Sequence, residues 1–240
     1  MTSDQRYSRN FSALSQKDQG RLKTSRVCIV GLGGLGGGVT EMLARIGVGS
    51  LVLVDGDVFE PSNLNRQILC TEKLLGVPKA SAAEDRVKAI NPTIEVRGVQ
   101  GFMTEVNSDE LLEGCHVAVD CLDTIPARFI LEKAAKHCKI PMVSGAIAGT
   151  FGQLTTIFPQ DRGLELIYHK PGIQPVQGEI SGNGRGVEVH LGNLSFCAMF
   201  MASLQAAETV KILTGRGDVL RHRILIADLL SSVFEIIQLQ

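Results

Sequence analysis

Arg26-Val-Cys-Ile-Val30, Gly31-Leu-Gly33-Gly34-Leu-Gly36, Ser50-Leu-Val-Leu-Val-Asp55 and Ser62-Asn63-Leu64-Asn65-Arg66 follow one another within residues 26–66. The first run is β-branched and continuously apolar, the pattern of a strand covered on both faces. Gly31, Gly33 and Gly36 fit the G-x-G-x-x-G spacing, and Gly34 adds a fourth glycine. Glycine turns sharply and lets a phosphate approach the backbone where a Cβ would collide. A helix over 34–46 would aim its free N–H groups and positive dipole end at that phosphate. Asp55 ends the second strand, where a carboxylate can accept hydrogen bonds from ribose hydroxyls. The fingerprint alone fits NAD, FAD, ATP or S-adenosylmethionine. Ser62, Asn63, Asn65 and Arg66 point further: a dehydrogenase needs no guanidinium there, whereas a triphosphate does, because arginine offers it a planar fork of donors.

Outward from this stretch, strands and helices alternate. Residues 1–25 are polar; Ser15 can cap a helix over 16–22, and Arg6-Tyr7-Ser8-Arg9 forms an arm before it. Gly76-Val-Pro78-Lys79 precedes a helix over 79–90. A lysine in the first turn opposes the helix dipole unless it faces an anion. Strands are expected over 94–99 and 116–120, with a short helix over 107–114 between them. Asp123 follows the second of these strands, at the carboxyl end where open parallel sheets collect ligands. It can hold a metal beside a phosphate or cap the helix starting near Pro126. A strand over 140–145 follows, then another over 151–158. Residues 159–193, rich in glycine and proline, have no clear period and read as a mobile, functional loop. A helix over 194–214 and two strands over 223–228 and 232–237, joined as a hairpin, complete the pattern.

The chain has 240 residues, 44% of them hydrophobic, and a formal net charge of −1. That balance argues against a polyanionic partner or a charged membrane surface. The N-terminus lacks a signal-peptide pattern, and the most apolar stretch, 194–214, is interrupted by Ser195, Ser203, Gln205, Glu208 and Lys211. The 6 cysteines form no C-x-x-C, which disfavours zinc and a dithiol redox couple. Cys28, Cys121 and Cys197 have the apolar contexts of core residues. A reduced, cytoplasmic protein is expected.

Taken together, Arg6-Tyr-Ser-Arg9, the glycine run 31–36, Val54-Asp55-Gly-Asp57, Ser62-Asn-Leu-Asn-Arg-Gln67, Gly76-Val-Pro-Lys79, Ile90-Asn-Pro92, Asp120-Cys-Leu-Asp123 and Val143-Ser-Gly145 resemble the ThiF/MoeB/HesA family, relatives of ubiquitin-activating enzymes. The match covers nearly the whole length. It implies an α/β fold: a Rossmann-like, mostly parallel sheet with helices on both faces, continued by antiparallel strands. It also implies one adenylation domain over 1–240, with an arm and helix over 1–25, a nucleotide-binding half over 26–147 and a carrier-binding half over 148–240. The implied activity is ATP- and magnesium-dependent adenylylation of the C-terminal Gly-Gly carboxylate of a small ubiquitin-like sulfur carrier. Carried over by position, Gly31, Gly33, Gly34, Gly36, Asp55, Asp57, Ser62, Asn63, Arg66, Lys79, Leu122 and Asp123 would hold the nucleotide. Arg66, Lys79 and Asp123 would assist the chemistry, with Asp123 taking Mg2+. The family forms homodimers in which an arginine of the arm, here Arg9, reaches the partner's site.

The chemistry suits such a site. A carboxylate is already nucleophilic at neutral pH, so the reaction needs charge neutralisation rather than a general base. Three features depart from the family pattern. Paired C-x-x-C motifs are absent, so no zinc is expected. Residues 159–193 contain no cysteine, and Cys197 lies within the last helix as a packing residue, which favours activation without a covalent intermediate. Thr124 stands where asparagine commonly follows the metal aspartate. Competing readings are a tRNA threonylcarbamoyladenosine dehydratase-like enzyme, which would want a basic surface, an NAD-dependent oxidoreductase, and a scaffold without catalysis.

Overall fold

In β1 (Arg26–Val30) successive side chains enter opposite cores. Val27 and Ile29 join one apolar cluster, Cys28 and Val30 the other. β2 (Ser50–Asp55) repeats the division: Leu51 and Leu53 lie on one face, Val52 and Val54 on the other. The period of two explains why both strands read as continuous apolar runs. A computed structural model describes residues 5–168 and 191–240.

One 8-stranded sheet has the order β3-β2-β1-β4-β5-β6-β7-β8. β3 (Glu95–Gln100), β2, β1, β4 (Val117–Asp120) and β5 (Met142–Ala148) pair in parallel. β6 (Phe151–Ile157), β7 (Arg223–Asp228) and β8 (Val233–Gln238) continue the sheet in antiparallel fashion. Strand order reverses between β1 and β4, so a crevice opens beyond their carboxyl ends.

On one face lie α2 (Gly34–Ile46), α3 (Lys79–Ile90) and the last long helix. α4 (Ser108–Leu112) and α5 (Ile125–His137) cover the other face. α1 (Gln16–Thr24) opens with a capping box in which Ser15 and Asp18 satisfy each other's backbone N–H groups. Ahead of it, Tyr7 packs its ring against Gly47, just past the end of α2. Its hydroxyl accepts from Asn91 Nδ2 at 2.7 Å.

The helix expected over 107–114 is confined to Ser108–Leu112. The strand expected over 140–145 begins at Met142 and runs on to Ala148, because antiparallel β6 pairs along its whole length. Within the expected loop 159–193, Glu165–Tyr168 forms a short helix, α6. Residues 169–190 of that expected mobile segment lie outside the described residues.

The last helix, α7 (Ser195–Thr214), is long and apolar enough by composition to cross a bilayer. Here it is a core helix. Cys197, Ala198, Met201, Ala202, Gln205, Ala206, Glu208 and Thr209 are buried. Glycines on α2 let it approach closely: a Cβ on Gly34 would meet Ala198, and one on Gly38 would meet Ala202. Of the polar residues that interrupt its apolar run, Ser195 and Ser203 are exposed, whereas Gln205 and Glu208 are used inside. Glu208 accepts from Thr156 Oγ1 at 2.6 Å and from Leu220 N at 2.8 Å, and pairs with Lys211. Buried polar groups of this kind are tolerated when their hydrogen bonds are made.

Candidate nucleotide site

The crevice at the strand-order reversal is a cavity of ≈ 1570 Å³. Its floor is the loop from β1 to α2. Gly31 has φ +87, which glycine adopts without cost, and a Cβ there would run into the Cys121 carbonyl. The loop is held from below by Asp55: one carboxylate oxygen accepts from Leu32 N at 2.7 Å, the other from Asp57 N at 2.8 Å. Burial pushes the Asp55 carboxyl up; those two N–H groups and the charge of Lys79 work in the opposite direction. Each oxygen keeps a further lone pair for a ligand hydroxyl.

Gly31, Gly33, Gly34, Asp55, Asp57, Ser62, Asn63, Arg66, Lys79, Leu122 and Asp123 all line this one cavity. Gly36 does not: it sits in the first turn of α2, packed so closely on Gly31 that a Cβ would strike the Gly31 carbonyl. Its place is in joining helix to loop. The lysine that opposes the helix dipole does face an anion: Lys79 Nζ lies 3.0 Å from Asp57 Oδ2, with the lysine side chain buried and the aspartate open. Arg66 is half-buried in the cavity lining, its Nη1 donating at 2.9 Å to both Ser62 O and Asn65 Oδ1. Asn63 is buried and shapes the turn beneath it, accepting from Glu60 N at 3.1 Å. Asp123 projects at the surface beyond β4, and the residue in the N-cap position of α5 is Thr124. Arg9 is exposed and is not among the residues lining the cavity.

A second group of residues supports the wall opposite the glycine loop. Asp120, wholly buried at the end of β4, pairs with Arg128 at 2.8 Å and accepts from Ser144 Oγ at 2.6 Å and Leu122 N at 3.0 Å. Arg128 also donates to Gly145 O at 2.8 Å and to Leu122 O. Burial pulls the Arg128 pKa down, but the Asp120 charge, Tyr168 and the hydrogen bond to Asp120 together outweigh burial, and the net shift is upward. From α7, Gln205 Nε2 donates to Asp120 O at 2.7 Å. Together these bonds fix the course of Cys121-Leu122-Asp123. Sequence reasoning passed over Arg128 and Gln205. A signal was there: Arg128 shares the helical spacing of Leu131, Glu132 and Ala135, all buried, and Gln205 that of Ala198, Met201, Ala202 and Thr209.

None of the cysteines near the crevice is set up as a nucleophile. Cys121 lines it, but burial pushes its thiol far up. Cys197 is fully buried, lies 3.3 Å from Phe151 O, and is likewise raised by burial. Among the described residues no cluster of three or more His, Cys, Asp or Glu side chains could hold a metal on its own. Mg2+ commonly binds through one or two carboxylates, phosphates and water. Asp57, Glu60 and Asp123 are the exposed carboxylates that line the cavity.

Solved structures share this architecture. Escherichia coli MccB, crystallised with MccA-N7isoASN, superposes with a TM-score of 0.82 over 99% of this chain and 72% of that one, at 20% identity. SeMet PaaA superposes with a TM-score of 0.75 over 93% of this chain and 66% of that one, at 24% identity. In sequence, the SAMP-activating enzyme E1 of Haloferax volcanii is 35% identical over 96% of this chain and 83% of its own length. Protein HesA, heterocyst, of Trichormus variabilis is 35% identical over 94% and 81%. The adenylyltransferase and sulfurtransferase MOCS3 of Drosophila yakuba is 35% identical over 98% of this chain, which spans only 51% of MOCS3. Residues 7–240 match the ThiF family from the arm through the final strand. A glycine loop clamped by the next strand's aspartate, facing arginine and lysine across a strand-order reversal, is therefore no isolated fingerprint: the chain belongs to the ThiF family and is an adenylyltransferase.

Proposed function

We propose that the chain uses ATP to activate the C-terminal Gly-Gly carboxylate of a small ubiquitin-like sulfur carrier as an acyl-adenylate, releasing pyrophosphate. The observation that carries this reading is the convergence of Arg66, Lys79, the α2 N-terminus and Asp123 on one cavity. A carboxylate oxygen attacks the α-phosphorus; the bond from that phosphorus to the bridging oxygen breaks, and its electron pair leaves with pyrophosphate. Two anions must meet, so the barrier is largely electrostatic. Arg66 can swing its fork from Ser62 O and Asn65 onto phosphate oxygens. Lys79 holds a buried positive charge that Asp57 keeps in place before nucleotide arrives. Asp55 holds the loop while accepting from the ribose. Asp123 would hold the Mg2+ carried by ATP, and that ion would supply charge neutralisation for the leaving pyrophosphate.

The names of the Haloferax E1 and of MOCS3 support a small-protein substrate. The reading treats residues 1–240 as one adenylation unit in a reducing cytoplasm, with 148–240 receiving the carrier. It also makes the chain a homodimer. α2, with 13 residues, is about 20 Å long, and Tyr7 is anchored at the end of it remote from the glycine loop. Arg9, two residues on, does not line its own cavity and in this reading serves a partner's.

Isotope exchange of pyrophosphate into ATP tests the proposal. Exchange is expected with Mg2+, ATP and a Gly-Gly carrier, and Asp123→Ala should abolish it. Exchange only in the presence of tRNA would instead make the chain dehydratase-like, and an unaltered Asp123→Ala variant would remove the metal assignment.

A further inference from the structure

The cavity reaches well past the residues that hold the nucleotide. Its far wall is the antiparallel end of the sheet, where Ala146 of β5, Gln153 of β6 and Ile226 of β7 stand in one register row, all three lining the cavity. β6 is the fourth strand beyond β2, which carries Asp55. At about 4.8 Å per strand the two are roughly 19 Å apart. A nucleotide whose ribose sits on Asp55 has its phosphates, which are acceptors, over the glycine loop between them. Gln153 is held in one orientation. Its Nε2 donates to the Tyr168 hydroxyl at 3.0 Å, and Tyr168 is itself set edge-on against Phe129 of α5, ring centroids 6.3 Å apart. With the amide nitrogen committed, Oε1 remains as an acceptor in the cavity wall, and among the described residues nothing donates to it. An amide oxygen cannot bind a phosphate or carboxylate oxygen; it wants an N–H. A tail that ends in a free carboxylate carries one in the peptide bond just before it. Ala146 and Ala148, beside Gln153, are small enough for a peptide backbone to lie close.

We propose that Gln153 is a substrate-binding residue that reads the last peptide bond of the carrier's tail, its Oε1 accepting from that N–H and so holding the terminal carboxylate toward the nucleotide. The assignment rests on the adenylylating reading, because it takes the tail as the second substrate. An acceptor in an open cavity is served by water until a ligand displaces it, and a ligand without a donor there loses that hydrogen bond. A side chain immobilised before binding loses little freedom when the ligand comes.

Pyrophosphate exchange tests it with two semisynthetic forms of one ubiquitin-fold protein ending in Gly-Gly, alike except that the final link is an amide in one and an ester in the other. The ester keeps the carboxylate and the length of the tail and lacks the N–H. For the wild-type chain KM should be about 3- to 10-fold lower with the amide form, the worth of one hydrogen bond between neutral groups. Gln153→Met keeps much of the side chain's volume and removes the acceptor. It should raise the amide form's KM by that factor and bring the two forms within about twofold of each other. Gln153→Glu keeps an acceptor and should keep the preference for the amide. MgATP affinity, read by titration calorimetry, should be the same in Gln153→Met as in the wild type. Equal KM values for the two forms with the wild-type chain, or a preference for the amide that survives in Gln153→Met, would overturn the assignment. Absence of exchange by the wild-type chain with the amide form would instead overturn the adenylylation on which it rests.

Discussion

Arg128 shows what a single side chain contributes here. It lies on α5 with its charge buried against Asp120, and its remaining donors end on Gly145 O and Leu122 O. Removing it leaves the Asp120 carboxyl group buried without its cationic partner. Arg128→Met should destabilise the chain by about 3–5 kcal/mol, read from urea unfolding. If Arg128 matters only for its own packing, adding Asp120→Asn will make matters worse; if the pair is the unit, the double variant will recover stability. Cys197 makes the contrary point. Its thiol is buried on Phe151 O, so Cys197→Ser should keep pyrophosphate exchange within about twofold of wild type. A tenfold loss would bring the thiol into the chemistry.

At the scale of elements, α2 and α3 are tied by charge as well as by packing. Glu41 on α2 receives Arg86 of α3 at 2.8 and 2.9 Å, and Arg45 of its own helix at 2.7 Å. Burial raises its pKa, but the two guanidinium groups outweigh burial and hold it below the ordinary 4.5. A depressed carboxylate stabilises the fold fully above its unfolded pKa and loses that contribution as pH falls through the folded value. Glu41→Gln should therefore cost about 1 kcal/mol at pH 7. In urea titrations repeated at descending pH, the gap from wild type should close below about pH 4; a gap that persists there would assign the effect to packing.

The elements themselves were legible because local chemistry decides them. β1 and β2 are apolar on both faces, Gly31 sits where only a left-handed turn fits, and Ser15 with Asp18 makes a cap, so these boundaries follow from the residues alone. The site's glycines, Arg66, Lys79 and Asp123 are close in the chain to strand ends, and strand ends meet at the reversal of order. The reach of β5 to Ala148 was not legible, because it depends on an antiparallel partner rather than on its own residues. Nor were Arg128 and Gln205. A buried polar side chain declares itself only when its partners, or their absence, are known in three dimensions, and those partners lie far away in sequence.

For the molecule as a whole, the position of the arm carries the strongest prediction. If Arg9 serves the partner's cavity, Arg9→Ala and Asp123→Ala remove the two ends of a shared site and each variant alone is inactive. Mixing them after reversible dissociation should restore about a quarter of wild-type exchange: half the dimers are mixed, and each mixed dimer has one intact cavity. No recovery on mixing would place Arg9 outside the chemistry.

The bond from Gln205 to the Asp120 carbonyl has a consequence for how such a chain can be rearranged. It crosses from the last long helix into the parallel strands, at the spot where the loop bearing Asp123 departs. Severing the polypeptide between β5 and β6 would strip that carbonyl of its donor and uncover the glycine stripe of α2, which Ala198 and Ala202 normally seal. The first 148 residues are thus no portable cassette, and gene fission there would have to keep both pieces in hand for either to hold its shape.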